Sequence, residues 1–306
     1  MKIFRGFEEA RGIRNPVVTT GSFDGVHIGH KTILNRLKML AKKYDGESVL
    51  ITFDPHPRKV LYPDTAGKDL KLINSHEEKN ELLRKSGLDN LIIVEFTKDF
   101  SKTTSEEFVR DYLHGILNAK VVVVGFNHHF GFNKEGDYKH LWNWREKYHF
   151  EAEEIPEQEV QHEAVSSTRI RKAISEGYIQ RANAYLDHYY MIMGIPERYE
   201  FPGFEILPSF LRVPITEECK ILPATGIYAV SVVNEKKESR GMVLICQDQE
   251  KDSVVLVHIF NNEEEFINRK STVLFHKMIY GTVNLTDPKI SDRLQFAKDE
   301  ISDLIY

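Results

Sequence analysis

Two imidazoles three residues apart, His27 and His30, lie in the run Gly21-Ser22-Phe23-Asp24-Gly25-Val26-His27-Ile28-Gly29-His30. Gly25 and Gly29 let backbone come close to a bound group. A helix beginning at this point offers unpaired N–H groups and a positive dipole end, which favour phosphate. The imidazoles can donate hydrogen bonds to oxygens of a reacting phosphate. Such a set suits nucleotidyl transfer, where a substrate phosphate attacks directly and no protein nucleophile is needed. Positioning and charge stabilisation then do most of the work. The plainer reading is a glycine-rich turn with two surface histidines. A zinc site lacks a third ligand.

Three further runs carry residue types of the same kind. Thr52-Phe53-Asp54-Pro55-His56-Pro57, followed by Arg58, is stiffened by two prolines that fix φ. Gly125-Phe126-Asn127-His128-His129-Phe130-Gly131, with Gly136-Asp137 beyond it, is a loop rich in aromatic rings and amide. Val165-Ser166-Ser167-Thr168-Arg169-Ile170-Arg171 places hydroxyls where a helix begins, which is ordinary capping chemistry. An arginine in the first turn converts that cap into an anion cradle, because a guanidinium is always charged and binds oxygens in a fork. Taken singly, the second run reads as a rigid turn, the third as a surface loop and the fourth as a cap.

The elements that must hold these runs are legible from periodicity. Val17–Thr20, Ser48–Phe53, Leu91–Phe96 and Lys120–Gly125 read as continuous apolar strands. His30–Tyr44 places Ile33, Leu34, Leu37, Leu40 and Ala41 on one helical face. Ser75 with Glu78, and Thr104 with Glu107, are capping boxes that open two more helices, the second running to about Leu117. Apolar strands alternating with amphipathic helices predict a doubly wound α/β domain with a parallel sheet. Ligands of such sheets sit at the carboxyl ends of strands. The first three runs should therefore share one rim. Helices follow at Ser167–Gly177 and Ile179–His188. Short β-type runs and turns then predict a small antiparallel barrel, with a last helix over Pro288–Tyr306 and apolar positions Ile290, Leu294, Phe296, Ala297, Ile301 and Leu304. The expected domains are 1–188 and 189–306.

The sequence has 306 residues, 41% hydrophobic and 28% charged, which is ordinary globular usage and argues against disorder. A net charge of −5 argues against a nucleic-acid-coating protein. The two cysteines, Cys219 and Cys246, form no metal or redox spacing. The N-terminal run has no apolar signal core, and no long apolar stretch reads as a membrane span. A cytoplasmic protein without nucleic-acid or membrane partners is the expectation, and no protein-borne metal site is expected.

GSFDGVHIGH resembles the signature of the bacterial bifunctional riboflavin kinase/FMN adenylyltransferase family, the FAD synthetases, and its HxGH core is shared with the wider HIGH-motif nucleotidyltransferases. TFDPHP, GFNHHFG and VSSTRIR resemble the family's other motifs in the same order, and the resemblance spans roughly Thr19–Gly194. It implies transfer of AMP from ATP to FMN, giving FAD and pyrophosphate, with Mg²⁺ accompanying ATP. It implies that His27, His30 and Arg171 are catalytic. Gly21, Phe23, Asp24, Gly25, Gly29, Ser166, Ser167 and Thr168 would then bind ATP, and Phe53, Pro55, His56, Pro57, Arg58, Asn127 and Phe130 would bind FMN. His128 stands where the family motif carries Phe. The second domain resembles the family's riboflavin kinase in Leu222–Ala229, Val255–His258 and Tyr280-Gly281, but the expected G-x-P-T-A-N segment is missing and Leu256 replaces the kinase's base. A kinase-inactive barrel is therefore expected. Rival readings are a retained riboflavin kinase, a nucleotidyltransferase for a different phosphate ester, and a non-catalytic flavin-binding regulator.

Overall fold

Strands that are apolar on both sides have no solvent face, and they can be stable only inside a sheet covered above and below. Four such segments form the middle of a sheet in the computed structural model, which describes residues 1–160, 163–198, 210–247, 253–283 and 289–304. The chain divides into two compact units, residues 1–70 with 79–165, and residues 71–78 with 166–306.

In the first unit the order is β1 (Lys2–Arg5), β2 (Val17–Thr20), α1 (Ile28–Lys43), β3 (Ser48–Asp54), α2 (Pro57–Leu61), the end of α3 (His76–Lys85), β4 (Asn90–Glu95), α4 (Ser105–Glu107), β5 (Val121–Gly125), α5 (Tyr138–Trp144) and β6 (Glu151–Ile155). The six strands run parallel in the order β1-β4-β3-β2-β5-β6. From β2 the chain steps outward through β3 to β4, then returns to place β5 on the other side of β2. The switch point is therefore between β2 and β5, where Val17 pairs with Val121 and Val18 with Val122. One face of the sheet is covered by α1 through Ile33, Leu34, Leu37, Leu40 and Ala41. The other packs against Phe108, Val109, Leu113 and Leu117, from the segment after α4. That segment, Phe108–Ile116, continues α4 in the wider π-helical winding. Both capping boxes form. Glu107 N donates to Thr104 Oγ1 over 3.2 Å, and Glu78 N donates to Ser75 Oγ over 3.2 Å.

A short hairpin, β7 (Glu159–Val160) and β8 (Glu163–Ala164), ends the first unit. The second contains α6 (Ser167–Ser175), α7 (Ile179–Leu186), β9 (Tyr190–Gly194), β10 (Glu197–Arg198), β11 (Leu211–Arg212), β12 (Gly226–Val233), β13 (Glu238–Gln247), β14 (Ser253–Ile259), β15 (Ser271–Gly281) and α8 (Ile290–Asp303). Seven strands form one antiparallel sheet in the order β10-β11-β14-β13-β12-β15-β9. Its two edge strands, β9 and β10, are separated in the chain only by Ile195 and Pro196. The sheet must therefore curl until its edges are neighbours, which is barrel geometry. α8 covers it through Ile290, Leu294, Ala297 and Ile301. Phe296, expected among the apolar positions of that helix, is instead 55% exposed, because it points away from this cluster.

Residues 166–188 pack with the barrel unit rather than with the parallel sheet. Asn183 accounts for part of this. Its Nδ2 donates to Phe275 O over 2.8 Å, and its Oδ1 accepts from Tyr190 N over 2.7 Å. Residues 71–78 join the same unit through a buried ion pair. Lys220 Nζ donates to Glu78 Oε2 (2.6 Å), Ile73 O (2.6 Å) and Met191 O (2.8 Å). Glu78 Oε1 accepts from Met193 N over 3.0 Å. The two side chains are 2% and 1% exposed, so the charges persist only because each is hydrogen-bonded on several sides.

Candidate active site

The loop between β2 and α1 is bent hard. Phe23 (φ 48°), Gly25 (φ 88°) and Val26 (φ 40°) all lie in the left-handed region. For a β-branched valine that conformation is a true outlier, and backbone strain of this kind concentrates at functional sites. It is over-determined here by burial, since Phe23 and Val26 sit in the core beneath α1 at 2% and 1% exposure. The result is that α1 begins at Ile28, with His27 as its N-cap in extended conformation. His30 therefore falls in the first turn.

The rings of the loop form a ladder. Phe23 stacks on His30 with centroids 4.4 Å apart, and His30 on His27 at 3.7 Å. Gly29 is required by this packing, because a Cβ there would meet the His27 ring at 3.3 Å. The pKa of His30 is held well below the usual imidazole value by burial, then by His27 and Lys79. Two stacked imidazoles cannot both carry charge cheaply, so His30 is neutral at pH 7. Its Nδ1 is buried and has no hydrogen-bond partner among the described residues.

Two cavities open at the carboxyl ends of the strands. The first, of about 350 Å³, is walled by Phe53, Phe96, Phe100, Phe108 and Phe130, with His56, Pro57, Arg58, Tyr62 and Lys134 at its sides. Phe53 lies 5.5 Å from Phe96, edge to face, and 5.9 Å from Phe100, tilted by 44°, so the rings form one aromatic wall. His56 Nδ1 accepts from Arg58 N over 3.2 Å, which starts α2 at the rim. The second cavity, of about 300 Å³, is lined by Phe23, His27, Gly29, His30, Asn127, Glu157 and Gln158. Thr20, Gly21, Ser22 and His128 line both. The boundary between the cavities thus lies at the β2/β5 switch point, where an open α/β sheet takes its ligand.

The β5 loop is fixed by Gly131. It has φ +75°, and a Cβ would stand 2.5 Å from Ser105 N. Phe130 and Gly136 exchange backbone hydrogen bonds of 3.0 and 2.9 Å, which turns the loop back on itself. His128 N donates to Gly125 O over 3.0 Å.

The structure brings Gly21, Phe23, His27, Gly29 and His30 to one cavity, and Phe53, His56, Pro57, Arg58 and Phe130 to the other. Asn127 lines the histidine cavity rather than the aromatic one. Asp24, Gly25 and Pro55 do not line either. Ser166, Ser167, Thr168 and Arg171 open α6 in the other unit. Ser166 Oγ accepts from Arg169 N over 3.4 Å, a conventional N-cap. Sequence reasoning missed Phe96, Phe100 and Phe108. The run Phe96-Thr97-Lys98-Asp99-Phe100 follows a strand end as the other loops do, and that was the available signal. It also missed Lys79, whose Nζ donates to Thr52 Oγ1 over 3.4 Å behind the loop. Among the described residues no three His, Cys, Asp or Glu side chains converge as a metal site.

The FAD synthetase family model matches residues 10–169, and the riboflavin kinase family model matches residues 210–289. A bifunctional riboflavin kinase/FMN adenylyltransferase of Listeria monocytogenes is 30% identical over 268 residues, covering 87% of this chain and 81% of its own. A second protein of that organism, named FAD synthetase, is 34% identical over 234 residues, 75% of this chain and 88% of its own. A bifunctional relative from Buchnera aphidicola is 27% identical over 289 residues, 91% of this chain and 90% of its own. A crystal structure described as a macrolide-efflux protein of Streptococcus pneumoniae shares the fold, with TM-score 0.87 over 100% of both chains at 23% identity. With three of the four motif runs lining two adjoining cavities and the family model matching more than half the chain, the chain belongs to the FAD synthetase family of FMN adenylyltransferases.

Proposed function

We propose that the chain transfers AMP from Mg-ATP to the phosphate of FMN, giving FAD and pyrophosphate, and that it does not phosphorylate riboflavin. The observation that carries the first part is the pair of cavities meeting at Thr20, Gly21, Ser22 and His128. An aromatic wall suits the flavin ring, and the cavity holding the stacked histidines suits the nucleotide. Adenylyl transfer requires the two phosphates to meet within about 3–3.5 Å. Adjoining cavities that share four lining residues allow such an approach.

In this reading an FMN phosphate oxygen attacks the α-phosphorus of ATP, and the bond to the β-phosphate oxygen breaks. Charge accumulates on the α-phosphoryl oxygens and the leaving pyrophosphate. His27 and His30 donate hydrogen bonds to that charge, and the first amides of α1 add theirs. His30 is neutral, so it acts as a hydrogen-bond donor rather than as an acid. Phe53 and Phe130 hold the flavin with His56, Pro57 and Arg58, and Asn127 serves the nucleotide side. Ser166, Ser167, Thr168 and Arg171 bind ATP phosphates. Mg²⁺ enters as part of the substrate Mg-ATP. Incubating pure protein with FMN and Mg-ATP, then separating flavins and measuring pyrophosphate, tests the reaction. Absence of FAD over a no-enzyme control refutes it.

The second part rests on Leu256. It stands at the position of the kinase base and is 1% exposed in the apolar cluster beneath α8. A leucine there cannot take a proton from a ribityl hydroxyl. The stretch Ile206–Ile215, the nearest to a nucleotide-holding segment, lies partly outside the described residues. The Listeria relative named FAD synthetase alone, 34% identical, favours the monofunctional reading. Riboflavin with Mg-ATP should accumulate no FMN. Cys219 and Cys246 form no disulfide, which suits the reducing cytoplasm where flavin nucleotides are made. Among the described residues no helix is long and apolar enough to cross a membrane.

A further inference from the structure

We infer that His128 binds the phosphate of FMN through its Nε2 and thereby distinguishes FMN from riboflavin. This rests on the assignment of the two cavities to flavin and nucleotide. If the aromatic cavity holds the flavin ring and the other holds ATP, the FMN phosphate must lie where they meet. Four residues line both, and His128 is the only one of them with a ring nitrogen. Its Nε2 is buried and has no hydrogen-bond partner among the described residues. A buried polar atom without a partner is destabilising, and such atoms are usually completed by a ligand or water.

The ring is also held in place. His128 N is tied to Gly125 O over 3.0 Å, at the very end of β5. The imidazole lies nearly parallel to Phe130, with centroids 6.1 Å apart and planes 21° apart. Phe130 in turn packs 5.9 Å from Phe108 in the aromatic wall. The imidazole is thus braced on the flavin side, in the strip of residues that lines both cavities. Burial, and secondarily His129, lower its pKa to about 4, so it is neutral at pH 7. A neutral imidazole donates one N–H without placing a full positive charge beside the attacking oxygen. A cation there would hold the phosphate more tightly and make it a poorer nucleophile.

Flavin affinity separates this role from simple packing. FMN and riboflavin share the ring and ribityl chain and differ in the phosphate. Binding of each is measured by flavin fluorescence quenching with wild type, His128→Phe and His128→Gln. Phe keeps a planar ring and removes both nitrogens. Gln keeps a donor of similar reach. His128→Phe should weaken FMN about 10-fold or more, the scale for one hydrogen bond to a charged group. Riboflavin affinity should stay within about twofold, and that value is the internal check that the variant is folded. His128→Gln should recover part of the FMN loss. Equal weakening of both flavins would make His128 a packing residue and overturn the inference, as would unchanged FMN affinity in His128→Phe. A wild-type protein that binds FMN and forms FAD while His128→Phe does both equally well would refute this inference alone. A wild type that forms no FAD would refute the parent reading.

Discussion

The imidazole of His30 lies face to face with that of His27, ring centroids 3.7 Å apart, with Phe23 on its other side. The stack spreads a donor surface across the first turn of α1 and keeps His30 uncharged. Removing one such donor should act on the transition state more than on substrate binding. His30→Ala should lower kcat by about 10²–10³-fold with little change in KM for FMN. Steady-state FAD formation, with circular dichroism as a check on folding, measures this. Undiminished kcat in a folded variant would make His30 a packing residue.

A second expectation concerns pH. His128 and His276 have their pKa lowered to about 4 by burial, and His30 is lowered as well. In the unfolded chain each titrates at its ordinary value. Between that value and the folded pKa the unfolded state binds more protons, so stability falls as pH drops through this window. Above pH 6.5, the ordinary histidine value, the contribution is fully present. Denaturation midpoints recorded from pH 7.5 to 4 should decline, and His276→Phe should flatten the slope. Identical slopes in wild type and variant would contradict the assigned shift.

Arg171 projects from the first half of α6, after the Ser166 cap. Its guanidinium is assigned to ATP phosphates. Arg171→Ala should raise KM for ATP by about tenfold or more, the loss of a charge-assisted contact. KM for FMN should change little. A selective loss of FMN affinity would reverse the assignment.

In the second unit, Leu256→Glu should not create a kinase. A carboxylate introduced beneath α8 would enter an apolar cluster with Arg212 as its cross-strand partner, and burying it there lowers stability. A lowered melting temperature with no FMN from riboflavin is the expected pair of results. FMN formation at a rate comparable to FAD synthesis would mean the barrel retains a working site.

The parallel sheet and its loops were legible because their causes are local. Val17–Thr20 was read to the residue, and α1 was read with the same five buried positions that it shows. The α1 start was set two residues late because a histidine N-cap without side-chain bonding leaves little signal. The edge strands β1 and β6 were not read. Lys2–Arg5 and Glu151–Ile155 are mostly exposed or half-buried and carry charge, so pairing with a neighbour defines them more than composition does. Of the motif residues, Gly21, Phe23, His27, Gly29, His30, Phe53, His56, Pro57, Arg58, Asn127 and Phe130 line the two cavities. Phe96 and Phe100 were not read, since their place beside Phe53 depends on β4 pairing with β3, Phe53 opposite Val94. Lys220 gave no hint of burial, because its ligands are two carbonyls and a carboxylate from two distant segments.

The Lys220–Glu78 pair, described above as a matter of packing, also sets an order in time. The two residues are 142 positions apart. At about 5–20 residues per second, a ribosome needs roughly 7–30 s to cover that distance. Through that interval residues 71–78 have no ammonium to neutralise Glu78, and the β9 amide that binds it, 115 positions on, is also made late. Meanwhile β4, β5 and β6 are synthesised and can pair with β2 and β3 already made. The parallel sheet can therefore be complete while the segment between β3 and β4 is still waiting, and that segment is tied to the barrel unit only after Lys220 has emerged.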